Sequence, residues 1–172
     1  MYQEIFGQMK KMLVQLDRWL EAGAAFAQAN SFAPEELLEL RLAPDQFAFG
    51  RQVTIAGDTA KLAAARLSGT EAPKQADAET SIEGLRNRLH EVVGYLESLP
   101  PGAFDAAATR VISQPRWEGK VMTGADYFIE HAMPNFFFHI THSYAILRHR
   151  GVPLGKRDYL GAVSLRAPES AS

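Results

Sequence analysis

Histidines gather near the C-terminal end of this chain: His139, His142 and His149 follow one another closely, and His131 stands just before them. Asn135, His139 and His142 are spaced i, i+4 and i+7, which on a helix brings all three to one side. Two imidazoles about one turn apart can hold a divalent transition metal such as zinc or nickel. Such a pair supplies only two ligands, and a catalytic site commonly needs three protein groups plus an open position for water or substrate. The third must come from another helix, where Gln52 and Asp58 are the candidates. The carboxylate is the better ligand and the amide a poor one. If Asp58 turns inward it becomes that ligand or the partner that orients His139. A second reading stays open, in which His142 and His149 lie on a solvated edge, His139 is buried and hydrogen-bonded, and Asp58 pairs at the surface with Lys61 or Arg51. The candidate pocket residues are therefore Gln52, Asp58, Asn135 and His139, and the candidate metal pair is His139 with His142.

Aromatic residues surround these positions. The run Phe136, Phe137, Phe138 is too wide for one buried stripe, so at least one ring is expected to line a pocket or a subunit contact. Trp117, among Arg116, Glu118 and Lys120, is a candidate pocket lid or a cover for a helix end. Lys156, Arg157, Asp158 and Tyr159 carry no catalytic spacing and read as an anchored C-terminal turn. Glycine-rich phosphate loops, nucleophile elbows and histidine–glutamate metalloprotease motifs are all missing, so hydrolase and nucleotide-binding classes lose weight.

The elements that must position these residues are helical. Ile5, Met9, Met12, Leu16 and Leu20 lay one apolar stripe along a first helix of about 25 residues, which frays through Ala22 to Ala29. Phe32 to Leu40 reads as a short helical connection with Pro34 at its first position. A second helix runs from about Gln46 to Leu67, and its Ala56, Ala60, Ala63, Ala64 and Ala65 permit close helix approach. Ser68 to Asp77 carry turn chemistry. Thr80 and Glu83 then form a capping-box signature for a third helix, whose Ile82, Leu85, Leu89, Val92, Val93 and Leu96 keep the helical period until Pro100 and Pro101 stop it. Arg110 to Ser113 and Gly119 to Thr123 suggest a small hairpin. The fourth helix is predicted to begin near Pro134 and to end at Gly151. The tail, from about residue 163 to 172, is expected to be loose. Burying four stripes at once implies an all-α fold, a four-helix bundle with a β-hairpin inserted before the last helix.

Composition sets the wider limits. At 172 residues the chain suits a single domain, and 18 Lys+Arg against 20 Asp+Glu leave a net charge of −2, which speaks against a phosphate-binding basic surface and so against nucleic acid as a partner. Without cysteine there is no disulfide, thiolate zinc site or cysteine nucleophile. The first residues lack the pattern of a signal segment, and no apolar run is long enough to span a membrane, so a cytoplasmic protein is expected.

Longer motifs carry a resemblance. Leu42-Ala-Pro-Asp-Gln-Phe47, Arg51-Gln52, Asp58-Thr-Ala-Lys61, Pro134-Asn-Phe-Phe-Phe-His139, Tyr144-Ala-Ile-Leu-Arg148 and Gly155-Lys156 resemble a bacterial family of unknown function within the DinB/YfiT-like superfamily of proposed metalloenzymes. The resemblance covers nearly the whole chain. It implies an up-down-down-up four-helix bundle with a long crossover, often dimeric. Characterised members of that superfamily include metal-dependent thiol S-transferases and a maleylpyruvate isomerase that use low-molecular-weight thiols. In its metal-binding members one histidine on helix two and two at i, i+4 on helix four form the site. Carried over, those positions fall at Gln52, Asn135 and His139, so one of the three is a histidine here. The resemblance thus implies either a polar small-molecule pocket between helices two and four with a degenerate or absent metal site, or a metal-dependent enzyme. A non-catalytic homodimer, in which the same residues fix helix register, is the third expectation.

Overall fold

The computed structural model describes residues 1–75 and 79–167. Four long helices carry it: α1 (Tyr2–Ala29), α2 (Phe49–Ser68), α3 (Ile82–Ser98) and α4 (Met133–Arg150). Strands β1 (Val111–Ser113) and β2 (Val121–Thr123) form the expected antiparallel hairpin, and a short helix α5 (Lys156–Leu160) closes the described chain. A tight helical connection at Pro34–Glu39 joins α1 to α2.

Side-chain pairs give the helix directions. Lys10 meets Glu97 and Asp17 meets Arg86, so α1 and α3 run antiparallel. Asp58 meets Arg88, and Thr70, just past the end of α2, meets Tyr95 near the end of α3, so α2 and α3 run parallel. Gln52 meets His139 and Thr59 meets Asn135, so α4 runs back against α2. The order is up-down-down-up. Its long crossover is the α2–α3 connection, of which residues 76–78 lie outside the described chain.

Each helix turns its apolar stripe inward. Met9, Met12, Leu13, Leu16 and Leu20 of α1 are fully buried, and Trp19 packs beside them. On α2 the buried Ala56, Ala60, Ala63 and Ala64 present only methyl groups, which lets α4 approach closely. At the C-terminal end Trp19 Nε1 donates to the Asp158 carbonyl, and its ring stacks on Tyr159, so α5 is anchored to α1. Residues 161–167 carry no regular structure, and 168–172 lie outside the described chain. Among the described residues no helix is long and apolar enough to cross a membrane.

Three boundaries depart from the sequence reading. Helix α2 starts at Phe49 and not near Gln46, because Gln46 N–H closes a turn onto Ala43 O and Arg41 donates to Gln46 O, leaving Asp45–Phe47 as a loop. The cap of α3 is Ser81, whose hydroxyl accepts from Gly84 N–H at 3.0 Å, and not Thr80. The largest departure is at the fourth helix. Helical backbone begins ten residues before Pro134, at Gly124, where the Thr123 hydroxyl accepts from Asp126 N–H. One turn (Gly124–Asp126) passes into a π-helical segment (Tyr127–Ala132) and then into α4. Proline cannot donate to the i−4 carbonyl and would clash with it inside a regular α-helix. The wider π-helical turn ahead of Pro134 absorbs that conflict, so the proline sits within a continuous rod rather than starting one.

Candidate functional site

The most informative contact is between α2 and α4. Gln52 is fully buried, its Nε2 donates to the Phe47 carbonyl at 3.0 Å, and its Oε1 lies 2.6 Å from His139 Nδ1. A backbone carbonyl can only accept, so the Gln52 amide nitrogen must face Phe47 and the amide oxygen must face the imidazole. The Nδ1 of His139 is therefore the protonated nitrogen, and Nε2 carries a lone pair. Nε2 meets no other polar protein atom among the described residues. The His139 residue is only 6% exposed. Burial, reinforced by the nearby charges of His142 and Arg51, pushes its pKa down to about 4. At neutral pH it is a fixed, uncharged hydrogen-bond acceptor.

One turn earlier on α4, Asn135 donates from Nδ2 to Thr59 Oγ1 at 2.8 Å, and that hydroxyl in turn donates to Ile55 O at 2.7 Å. Gln52, Asn135 and His139 open together onto a cleft of about 610 Å³. Its remaining walls are Asp45, Gln46 and Phe47 from the loop before α2, Glu130 and His131 from the π-helical segment, and Pro134 and Phe138 from α4. Of the three consecutive phenylalanines, Phe136 is fully buried and Phe138 is 52% exposed, with its ring on the cleft. A ring of that run does leave the core to line a pocket.

Other candidates lie elsewhere. Asp58 does not turn toward His139: it pairs with Lys61 at 3.0 Å and Arg88 at 2.7 Å on the α3 side of α2. Helical geometry explains the correction. At ~100° per residue, position 58 stands ~240° around the helix from Gln52, whereas position 59 returns to within ~20° of it, and Thr59 is the residue that reaches Asn135. Lys61 and Arg88, each only 5% exposed, tie the crossover down through Gln75, which accepts from Lys61 and donates to the Arg88 carbonyl. This is no solvated surface pair.

His142 shares the side of α4 that carries His139 but does not line the cleft. Its Nδ1 is 2.7 Å from the Phe138 carbonyl, and its ring packs on the Phe138 ring at 4.0 Å. Helix α2 begins at Phe49, less than a turn before Gln52, so little of α2 remains to face His142. His149 is exposed in the last turn of α4. Trp117 does not lid the cleft either. It stands edge-on to Tyr127 and His131, and Tyr127 stacks on His131 at 5.5 Å. Burial, with the charges of Arg116 and Arg66, pushes the His131 pKa down.

The family described as a domain of unknown function, DUF1993, matches residues 1–160. The chain belongs to the DUF1993 family. It is also similar to the crystal structure of a DinB family member protein from Shewanella denitrificans, at 48% identity and a TM-score of 0.91, over 97% of this chain and 98% of that one. No curated protein matches it. The DUF1993 chain is thus a DinB-like all-α bundle with a small hairpin, as the motifs implied.

That fold implies a metal between α2 and α4, and the residues of this DUF1993 chain do not fit one. The three positions hold one imidazole and two carboxamides, which are weak donors to transition metals. The Gln52 amide oxygen is taken up by His139 Nδ1–H and its nitrogen by the Phe47 carbonyl, so of the three positions only His139 Nε2 and Asn135 Oδ1 offer a free donor atom, one short of a three-ligand set. Among the described residues no three His, Cys, Asp or Glu side chains gather in a way that could hold an ion. Asp45 and Glu130 were missed in the sequence, since nothing in their local spacing links a loop before α2 to a π-helical turn before α4.

Proposed function

We propose that this DUF1993 protein binds a small organic molecule in the cleft between α2 and α4, without a tightly held metal, and that His139 Nε2 is the central contact. The Gln52–His139 hydrogen bond carries this reading: it commits the nitrogen nearest α2, fixes the ring orientation, and leaves one uncharged acceptor for a ligand. A metal-dependent thiol S-transferase or isomerase is the competing reading, and the donor set speaks against it.

Two measurements on protein purified without an affinity tag test the proposal. Elemental analysis is expected to find far less than one equivalent of transition metal, with a melting temperature unmoved by chelator. A screen of neutral and charged fragments is expected to shift the side-chain ¹⁵N resonances of His139. One retained equivalent of metal, whose removal lowers the melting temperature, would overturn the metal-free reading; a screen in which no fragment moves His139 would overturn the pocket.

A homodimer is a second proposal, supported by Phe47 and Phe138 standing 56% and 52% exposed on the cleft lips. Light scattering across a concentration series is expected to give twice the 19.0 kDa chain mass. A constant 19.0 kDa species would refute it.

A further inference from the structure

The two charged groups that line the cleft are both carboxylates, while His131, which also lines it, holds a buried Nδ1 without a partner beside the Arg116 guanidinium. The carboxylates are Asp45 and Glu130, one on the loop before α2 and one on the π-helical segment, and neither has an ion-pair partner among the described residues. Deeper in, the His139 ring is nine-tenths buried and offers an unpartnered Nε2 lone pair. Asn135 Oδ1 has no protein donor either, since that side chain uses only its nitrogen, on Thr59. Gln46 adds a buried amide oxygen without a partner. No lysine or arginine is among the lining residues. Arg51 lines the adjacent groove on the other side of Phe47, together with Glu35, Glu39 and Glu79, and Arg116 is held against His131. Apolar and aromatic surface from Phe47, Pro134 and Phe138 supplies the rest of the wall.

An anion placed here would lose its hydration and meet two carboxylates and several lone pairs, while the Arg51 and Arg116 guanidiniums lie outside the lining residues. A donor-rich cation meets the opposite situation: acceptors at the floor, carboxylates at the mouth, and aromatic faces that attract positive charge. Resting on the small-molecule pocket proposed above, we infer that the ligand is an organic cation, a protonated amine or amidine carried on an apolar body, whose N–H groups reach His139 Nε2 and Asn135 Oδ1 while Asp45 and Glu130 offset its charge. The body lies between Phe47 and Phe138. The low basicity of His139 fits this arrangement, because an imidazole that stays neutral does not repel the cation it receives.

Three probes of similar shape and different charge test the inference: phenethylamine (protonated at neutral pH), 2-phenylethanol and 3-phenylpropanoate, each titrated by calorimetry and followed on the His139 side-chain ¹⁵N signals. Phenethylammonium is expected to bind about tenfold or more tightly than the alcohol, with the carboxylate weakest, and added salt is expected to narrow the gap. Replacing both carboxylates (Asp45→Asn with Glu130→Gln) is expected to bring amine and alcohol to similar affinity with little change in melting temperature, since neither side chain holds the fold. Binding of 3-phenylpropanoate as tight as that of the amine would overturn the inference. So would a preference for the amine that survives loss of both carboxylates. If the alcohol and amine bind equally and both shift His139, the cation is refuted while the pocket stands. If none of the three moves His139, the cation is again refuted, and the fragment screen decides separately whether the pocket survives.

Discussion

Replacing Gln52 by Leu keeps the volume of that side chain and removes both of its hydrogen bonds. The consequences differ at the two ends. Phe47 stands in an exposed loop on the cleft, where its carbonyl is expected to recover a partner from water. His139 Nδ1–H sits against a fully buried position and cannot, so it becomes an orphaned donor. A buried unsatisfied donor costs ~1–3 kcal/mol, and each net hydrogen bond lost ~0.5–1.5 kcal/mol. The total expected for Gln52→Leu is about 3 kcal/mol, which for a chain of this size lowers the melting temperature by about 6–12 °C. Thermal denaturation measures the loss, and ¹⁵N spectra of the imidazole report a second signature, because without Gln52 the ring is no longer held in one tautomer. Gln52→Glu sharpens the test, since a carboxylate at that site favours the imidazolium and is expected to raise the His139 pKa above its native value of about 4. A drop of less than about 2 °C for Gln52→Leu, with His139 still in a single Nδ1–H tautomer, would refute the account of how the ring is fixed.

Three further outcomes are expected. A Cβ at Gly124 would stand 1.9 Å from the Ala107 carbonyl oxygen, a backbone atom, so Gly124→Ala should cost at least ~2–3 kcal/mol in denaturant melts. Because His139 binds a proton less readily folded than unfolded, its contribution to stability is complete above pH 6.5 and is lost as the pH falls toward 4; His139→Gln should flatten the pH dependence of stability across that window. Asp58→Asn leaves the buried Lys61 and Arg88 short of a counter-charge and should cost ~2–3 kcal/mol, read by denaturant melts, with binding at the α2–α4 cleft unchanged.

How far the sequence alone reaches can be seen residue by residue. The stripe from Met9 to Leu20, the hairpin around Gly119 and the stop at Gly151 are local signals, written in periodicity and turn chemistry, and the structure contains all three. Asn135 and His139 share a helix face by spacing alone; Gln52 stood beside Asp58 as a candidate from another helix, and the resemblance placed it with them. Asp58 was a candidate only because of its chemistry, and its angle around α2 turns it toward Arg88. The start of the last helical rod was hidden because Pro134 ordinarily begins a helix, and a π-helical turn that accommodates it leaves no compositional mark. Asp45 and Glu130 reach the same cleft through tertiary packing, which no local pattern records.

The π-helical segment at Tyr127–Ala132 also divides labour along one continuous rod. Upstream of it the backbone answers to the hairpin, with Gly124 pressed on Ala107; downstream it answers to α2 through Asn135 and His139. A single residue gained or lost in a regular α-helix rotates everything beyond it by ~100°, and a wide turn is where such a change can be absorbed. Glu130 and His131, which line the cleft, sit on that turn, while Asn135 and His139 lie beyond it. A change of length at that turn would therefore move the Glu130–His131 wall of the cleft while leaving Asn135 and His139 aimed at α2.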